Sequence, residues 1–248
     1  MNERLALGLL VASAALTVFA PSLTGDFVSW DDLLYIRDNP LIRGLDLSHV
    51  RAMLSATRGG LWQPLTWLSF AVDHAIWGYA PFGYHLTNLL LHAATAVLFY
   101  GVCLRLLESR LRENAVAAAA LAALFFAVHP LRVESVAWIT ERKGLLSGFF
   151  FLLAVLSYLH KRQRLALAAF ALALSAKATA LTLPLVLLIL ELPQPSRWLE
   201  RPARPVWRSL APFFGVALAS FLVTLFVGKS SGVIADITTK RQAEETIR

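Results

Sequence analysis

Seven stretches of this 248-residue chain are apolar and close to the length that crosses a lipid bilayer, and no other feature limits its fold as much. A helix spanning about 30 Å of hydrocarbon needs roughly 20 mostly apolar residues. The stretches are 5–23, 85–107, 115–129, 145–160, 165–176, 179–192 and 209–227; the third and fifth are short and borrow flanking residues. Composition agrees, with 57% hydrophobic and 16% charged residues, against about 45–50% and about 25% in a soluble domain. The net charge of +7 invites a nucleic-acid reading. A nucleic-acid binder, however, gathers its cations on a soluble module, and here they lie between apolar runs. The expected fold is therefore an all-α polytopic membrane protein with about seven transmembrane helices, whose partner is the lipid bilayer and not nucleic acid. Cys103 is the sole cysteine, so no intramolecular disulfide can form.

Charge sets the expected orientation. The first stretch has a weakly charged n-region, Met1–Arg4, and a weak cleavage site at Val18-Phe19-Ala20, but Pro21 directly after it favours a retained anchor. Residues 165–192 could form one helix or a hairpin of two short ones. A single helix would bury Lys177 mid-bilayer, costing about 2.5–3.5 kcal/mol on insertion scales. With the hairpin and a cytoplasmic N-terminus, the inner segments carry 11 basic and 5 acidic residues, the outer ones 12 and 11. Residues 1–227 then form one transmembrane module, followed by a polar extracytoplasmic tail at 228–248. The first outer loop, 24–84, is the longest, and carries Trp30, Trp62, Trp67 and Trp77. Leu47–Leu54 and Pro64–Ile76 within it have helical apolar spacing, which predicts short helices in or near the interface.

Polar residues near the outer surface are the candidates for chemistry. Asp31 and Asp32 are adjacent carboxylates among apolar neighbours, costly to ionise together; such a pair supplies a general base, a metal ligand or, more blandly, a helix cap. His85, Asn88, His92 and Thr95 share one helical face; His92 and Thr95 read as interhelical hydrogen-bonding groups, while His85 and Asn88, nearer the outer surface, stay open as candidates. The second outer loop runs from His129 through Glu134 to Arg142 and Lys143, either a polar wall of a site offering cations to a phosphate or side chains snorkelling to headgroups. Lys177 caps the hairpin, where interrupted helices often line a cavity. A metal site from His85, His129, Asp31 and Glu134 lacks any recognised ligand spacing. No metal ligand is assigned, although a divalent metal stays open as a cofactor.

Several motifs together resemble a known family: Phe27-Val-Ser-Trp-Asp-Asp-Leu-Leu-Tyr-Ile-Arg-Asp-Asn-Pro40, Trp62-Gln-Pro-Leu-Thr-Trp-Leu-Ser69, Gly83-Tyr-His-Leu-Thr-Asn-Leu-Leu-Leu-His92, His129-Pro-Leu-Arg-Val-Glu-Ser-Val-Ala-Trp138, Glu141-Arg-Lys-Gly-Leu-Leu-Ser147 and Ala176-Lys-Ala-Thr-Ala-Leu-Thr-Leu-Pro184. In this order they resemble the membrane half of bacterial proteins similar to the transmembrane O-mannosyltransferases that carry tetratricopeptide repeats, within the C-type (GT-C) glycosyltransferases. The resemblance implies a GT-C-like core in a bacterial inner (cytoplasmic) membrane with an extracytoplasmic active site. It also implies a polyprenyl-phosphate sugar donor and a hydroxyl acceptor, Ser or Thr of an exported protein. On it, Asp31 is the catalytic carboxylate with Asp32 beside it; Arg142, with Lys143 and Lys177, binds the donor phosphate; His85, Asn88, His129 and Glu134 face the substrate cavity. The relatives continue into repeats that this chain does not carry, so a partner subunit would supply the missing C-terminal region. The alternative is a shortened, catalytically inactive scaffold or subunit of a larger glycosylation complex.

Overall fold

The structure, a computed structural model, describes residues 3–191 and 204–230. From residue 231 onward, the expected polar tail lies outside the described residues, as do Arg197 and Arg201 of the inner basic segment. All regular structure among the described residues is helical. The α-helices are α1 (Glu3–Phe19), α2 (Leu47–Ser55), α3 (Pro64–Trp77), α4 (Pro81–Leu111), α5 (Ala115–Val128), α6 (Arg132–Ala137), α7 (Arg142–Leu159), α8 (Gln163–Ala176), α9 (Leu183–Glu191) and α10 (Arg204–Ser230).

Among the described residues, helix runs through each of the seven apolar stretches, ending at Val128 and Leu159 in the third and fourth. Four segments are long and apolar enough to cross a membrane: Glu3–Thr24, Pro81–Val128, Ile139–Leu159 and Val206–Lys229. The second joins α4 and α5 through a single 3₁₀ turn at Arg112–Asn114, where Arg112 takes φ 45° and reverses the chain. Gln163–Ala176 and Ala178–Glu191 are shorter apolar helices. Large apolar side chains such as Leu121, Phe125, Ile189, Leu222 and Phe226 stay exposed on the bundle's flank. That is where lipid tails replace water, so no penalty attaches to them. This is a multi-pass, all-α membrane protein.

Two packed cores divide the bundle. Around α1, α4 and α5 the buried residues are mostly small: Ala15, Ala93, Ala96, Ala119, Ala120, Ala123 and Ala127. Small side chains let helix backbones approach closely where no hydrophobic drive separates protein from lipid. Around α7, α8, α9 and α10 the core is larger-grained, with Phe170, Phe213, Leu183 and Leu187 fully buried among alanines of α8.

The loop expected at 24–84 folds into a layer of its own. Tyr35, Ile36, Ile42, Met53, Trp67, Phe70 and Tyr84 close a third apolar core beneath α2 and α3, the two helices that the periodicity of 47–54 and 64–76 predicts. Asp46 caps α2: its Oδ1 accepts the amides of Ser48 (2.9 Å) and His49 (3.3 Å). Hydrogen bonds from the Ser48 and His49 side chains hold its carboxyl below the ordinary range. Gly83, in the first turn of α4, packs against the Trp77 ring, which any added Cβ would strike. The layer is tied to the bundle where Thr66 Oγ1 donates to the Ala176 carbonyl at the end of α8 (3.3 Å).

Candidate functional site

α7 begins at Arg142 because the preceding turn, Ile139–Glu141, hands its chain to an apolar run. The Arg142 side chain turns inward and is fully buried. Its guanidinium donates to Asn88 Oδ1, to Ser69 Oγ (2.7 Å), to Asp73 Oδ2 (2.7 Å) and to the Tyr84 carbonyl (2.8 Å). Asp73 completes its own shell by accepting from Thr87 Oγ1 (2.8 Å). Four protein acceptors therefore engage the arginine expected at the donor phosphate. What it does is lock α3, α4 and α7 together. Asn88 belongs to the same lock: its Nδ2 donates to the carbonyls of Val136 (3.3 Å) and Trp138 (3.1 Å), so it faces the second loop's backbone and not a cavity.

The next residue faces the other way. Lys143 Nζ lies 3.9 Å from Asp31 Oδ2 and 3.5 Å from Glu141 Oε1, over the rings of Tyr35 and Trp138. Glu141 Oε2 in turn lies 3.2 Å from Lys177 Nζ. Asp31, Lys143, Glu141 and Lys177 thus form a line of alternating charge from the outer loop to the tip of the α8–α9 hairpin. The two carboxylates at its start differ. Asp31 keeps 43% of its side chain exposed. Asp32 is fully buried and accepts amides from Val28 (2.9 Å) and Thr140 (3.2 Å), pinning the outer loop to the head of α7. Burial raises the Tyr35 phenol above its ordinary value, so it stays protonated beside the ammonium of Lys143.

The line ends at a cavity of about 370 Å³ between α4, α5, α6, α7 and the hairpin tip. Its polar rim is Arg132, Ser135, Glu141 and Lys177; Phe126, Phe151 and Leu152 line its apolar side. Burial lowers the Arg132 guanidinium from its very high ordinary value, which leaves it a cation at neutral pH. His92 and Thr95 also border the cavity, but their polar atoms are held by the Ala127 (2.8 Å) and Leu91 (2.6 Å) carbonyls. Cations with one anion at the rim and aromatic and aliphatic wall below suit a phosphate attached to a hydrocarbon chain.

The other expected cavity residues lie elsewhere. His85 is buried against Gly25, where a Cβ would come within 3.0 Å of its Nε2, and neither ring nitrogen makes a hydrogen bond. Trp138 Nε1 and Thr140 Oγ1 are likewise buried without partners, so unused donors surround the Asp31–Asp32 corner. His129 accepts the Leu131 amide (3.2 Å) and stacks edge-on with Phe125, capping its loop. Glu134 is exposed and points away from the cavity that its neighbours Arg132 and Ser135 line. Residue patterns alone missed Asp73, Ser69, Glu141 and Arg132. Asp73 carried a usable signal, since a carboxylate in the apolar run of α3 demands a buried cation. Among the described residues, no group of three or more His, Cys, Asp or Glu side chains is arranged to hold a metal ion.

Comparison with known proteins places these residues in context. The chain is 34% identical over 165 residues to protein O-mannosyl-transferase TMTC4 of Homo sapiens, covering 60% of this chain and 22% of that protein. It is 37% identical over 101 residues to protein O-mannosyl-transferase TMTC3 of Homo sapiens, covering 41% and 10%. To protein O-mannosyl-transferase Tmtc1 of Drosophila melanogaster it is 43% identical over 99 residues, covering 40% and 11%. The chain thus spans about a fifth or less of the length of these relatives, all named as glycosyltransferases. No family model matches the chain, and no solved structure matches it significantly.

Proposed function

We propose that this chain carries the donor-binding and base-bearing core of a membrane O-mannosyltransferase. It moves a sugar, mannose by analogy with the names of its relatives, from a polyprenyl-phosphate donor to a Ser or Thr hydroxyl of an exported protein. The observation that carries this reading is the line Asp31–Lys143–Glu141–Lys177, which joins a half-exposed carboxylate to a cation-rimmed cavity with an apolar wall. In this reading the chain crosses a bacterial inner membrane seven times from a cytoplasmic N-terminus, and the line faces the extracytoplasmic side. A partner subunit presents the acceptor.

The donor phosphate sits at the cavity rim between Lys177 and Arg132, and the prenyl chain lies along Phe126, Phe151 and Leu152. Lys143 supports the corner from the Asp31 side. Arg142 acts through the others: by fixing α3 and α4 against the head of α7, it sets where Lys143 and Glu141 stand. The acceptor hydroxyl oxygen attacks the anomeric carbon while its proton passes to the Asp31 carboxylate. The anomeric C–O bond to phosphate breaks on the opposite face, and the phosphate leaves with the bonding electrons, its growing charge met by the rim cations. One displacement inverts the anomeric centre. No general acid is needed, because phosphate is already a good leaving group. Asp32 holds the loop that carries Asp31 and does not itself face the acceptor.

The test is transfer of radiolabelled mannose from polyprenyl-phosphate mannose to membrane and exported protein, in wild type, Asp31→Asn and Lys177→Met. Transfer that vanishes in Asp31→Asn and needs more donor in Lys177→Met is the expected result. An active Asp31→Asn removes the base. A folded, inserted wild type without transfer supports the scaffold reading.

A further inference from the structure

The far end of the bundle holds a second cavity, independent of the functional reading above. α7 is 18 residues long, so its two ends stand about 27 Å apart. At the end away from Arg142, the last turns of α4, α7 and α9 enclose about 630 Å³. The cations there are Arg105, Arg110 and Lys161; leucines from all three helices, Leu107, Leu159 and Leu190, form the apolar side. The two acids at this cavity are engaged. Glu108 pairs with Arg4 (2.8 Å) and Arg105 (3.6 Å), and Glu191 accepts the Tyr158 hydroxyl (3.0 Å). Arg110 and Lys161 make no side-chain hydrogen bond or ion pair among the described residues.

The backbone adds a second, separate observation. α7 ends with the Arg162 amide bonded to the Ser157 carbonyl and the Lys161 amide to the Tyr158 carbonyl, both at 2.9 Å. That pattern puts Lys161 in the left-handed region, at φ 63°. The residue at this position of such a helix end is usually glycine, which adopts the conformation freely. Arg112, at φ 45°, closes α4 at the same end, and these two are the non-glycine residues with positive φ among the described ones. A lysine held where glycine is the unstrained choice, lining the same cavity as an arginine without a side-chain partner among the described residues, marks a candidate anion site.

We propose that this cavity binds the headgroup of an anionic phospholipid, with the phosphodiester between Arg110 and Lys161 and the start of an acyl chain against the leucines. Basic pockets between transmembrane helices suit such headgroups. A free phosphate ion would use the cations and leave the leucines idle.

The experiment follows thermal unfolding of the full chain by tryptophan fluorescence in detergent micelles doped with phosphatidylglycerol or phosphatidylcholine. The expected result is a saturable rise in Tm with phosphatidylglycerol that phosphatidylcholine does not reproduce and that Arg110→Gln/Lys161→Gln abolishes. Lys161→Gly gives a signature no purely structural role shares. With phosphatidylcholine its Tm rises by roughly 2–4 °C as the backbone relaxes, while the extra rise with phosphatidylglycerol shrinks. Equal shifts with the two lipids, an undiminished phosphatidylglycerol shift in the double variant, or the same shift from inorganic phosphate at matched ionic strength each overturns the proposal.

Discussion

Arg142 and Asp73 sit 2.7 Å apart at one end of the bundle; Arg4 and Glu108 sit 2.8 Å apart at the other. The first pair is 0% and 4% exposed, the second 56% and 30%. Equal distances here mean different things. Around the exposed pair, water screens the charges and either partner can turn to solvent when the other is lost. Around the buried pair no water is at hand, so each charge depends on the other and on Asn88, Ser69, Thr87 and the Tyr84 carbonyl. One end is cross-linked by a buried polar lock; at the other, helix packing is accompanied by ion pairs exposed enough for water to screen.

That contrast can be broken by mutation, with the largest effect first. Asp73→Ala strands a buried guanidinium and should cost about 3–5 kcal/mol of stability in a denaturant titration. Arg142→Met/Asp73→Leu, which removes both charges and keeps volume, should recover most of that loss; if it does not, the lock depends on more than charge pairing. Asn88→Leu removes the acceptor of the Arg142 Nε and the side-chain donor to the Val136 carbonyl, and should cost about 1–3 kcal/mol. Asp31→Asn should leave stability unchanged while transfer disappears, which separates the reactive line from the lock beside it. Glu108→Gln at the opposite end should cost less than about 1 kcal/mol and lose even that in high salt. A Glu108→Gln as damaging as Asp73→Ala would abolish the comparison.

The smallest expected effect concerns pH. Asp46 is exposed, and its carboxyl is held below the ordinary range by Ser48 and then His49. A carboxyl lowered on folding stabilises above its unfolded pKa of about 3.9, and that contribution fades as pH falls through the lower folded value. The protection of α2 amides, corrected for the intrinsic pH dependence of exchange, should therefore be flat from pH 7 to pH 5 and fall only in stronger acid.

How far the residues alone reach is clear from particular positions. Apolar run length locates the helices, and 3.6-residue spacing finds α2 and α3 inside a loop rich in Trp and Pro. The run at 165–192 breaks at Lys177, as the cost of burying a lysine requires. The role of Arg142 was not legible. A cation heading an apolar span reads as facing headgroups or a phosphate, and only the fold brings in Asp73 and Ser69, 69 and 73 residues upstream. Glu134 and Glu141 are both glutamates of one loop. The short α6 and the turn after it send Glu134 outward and Glu141 to the cavity, and no periodicity spans a loop that brief.

The 69-residue separation of Asp73 from Arg142 also bears on how the protein is made. At about 5–20 residues per second, a ribosome needs roughly 3–14 s to travel from one to the other. For that interval α3 and its carboxylate exist with their cation still unsynthesised. The layer of α2 and α3 can complete its seat on the bundle only once α7 is made, because until then Asp73 has no guanidinium to pair with. Assembly of that end is thus ordered by the arrival of one arginine.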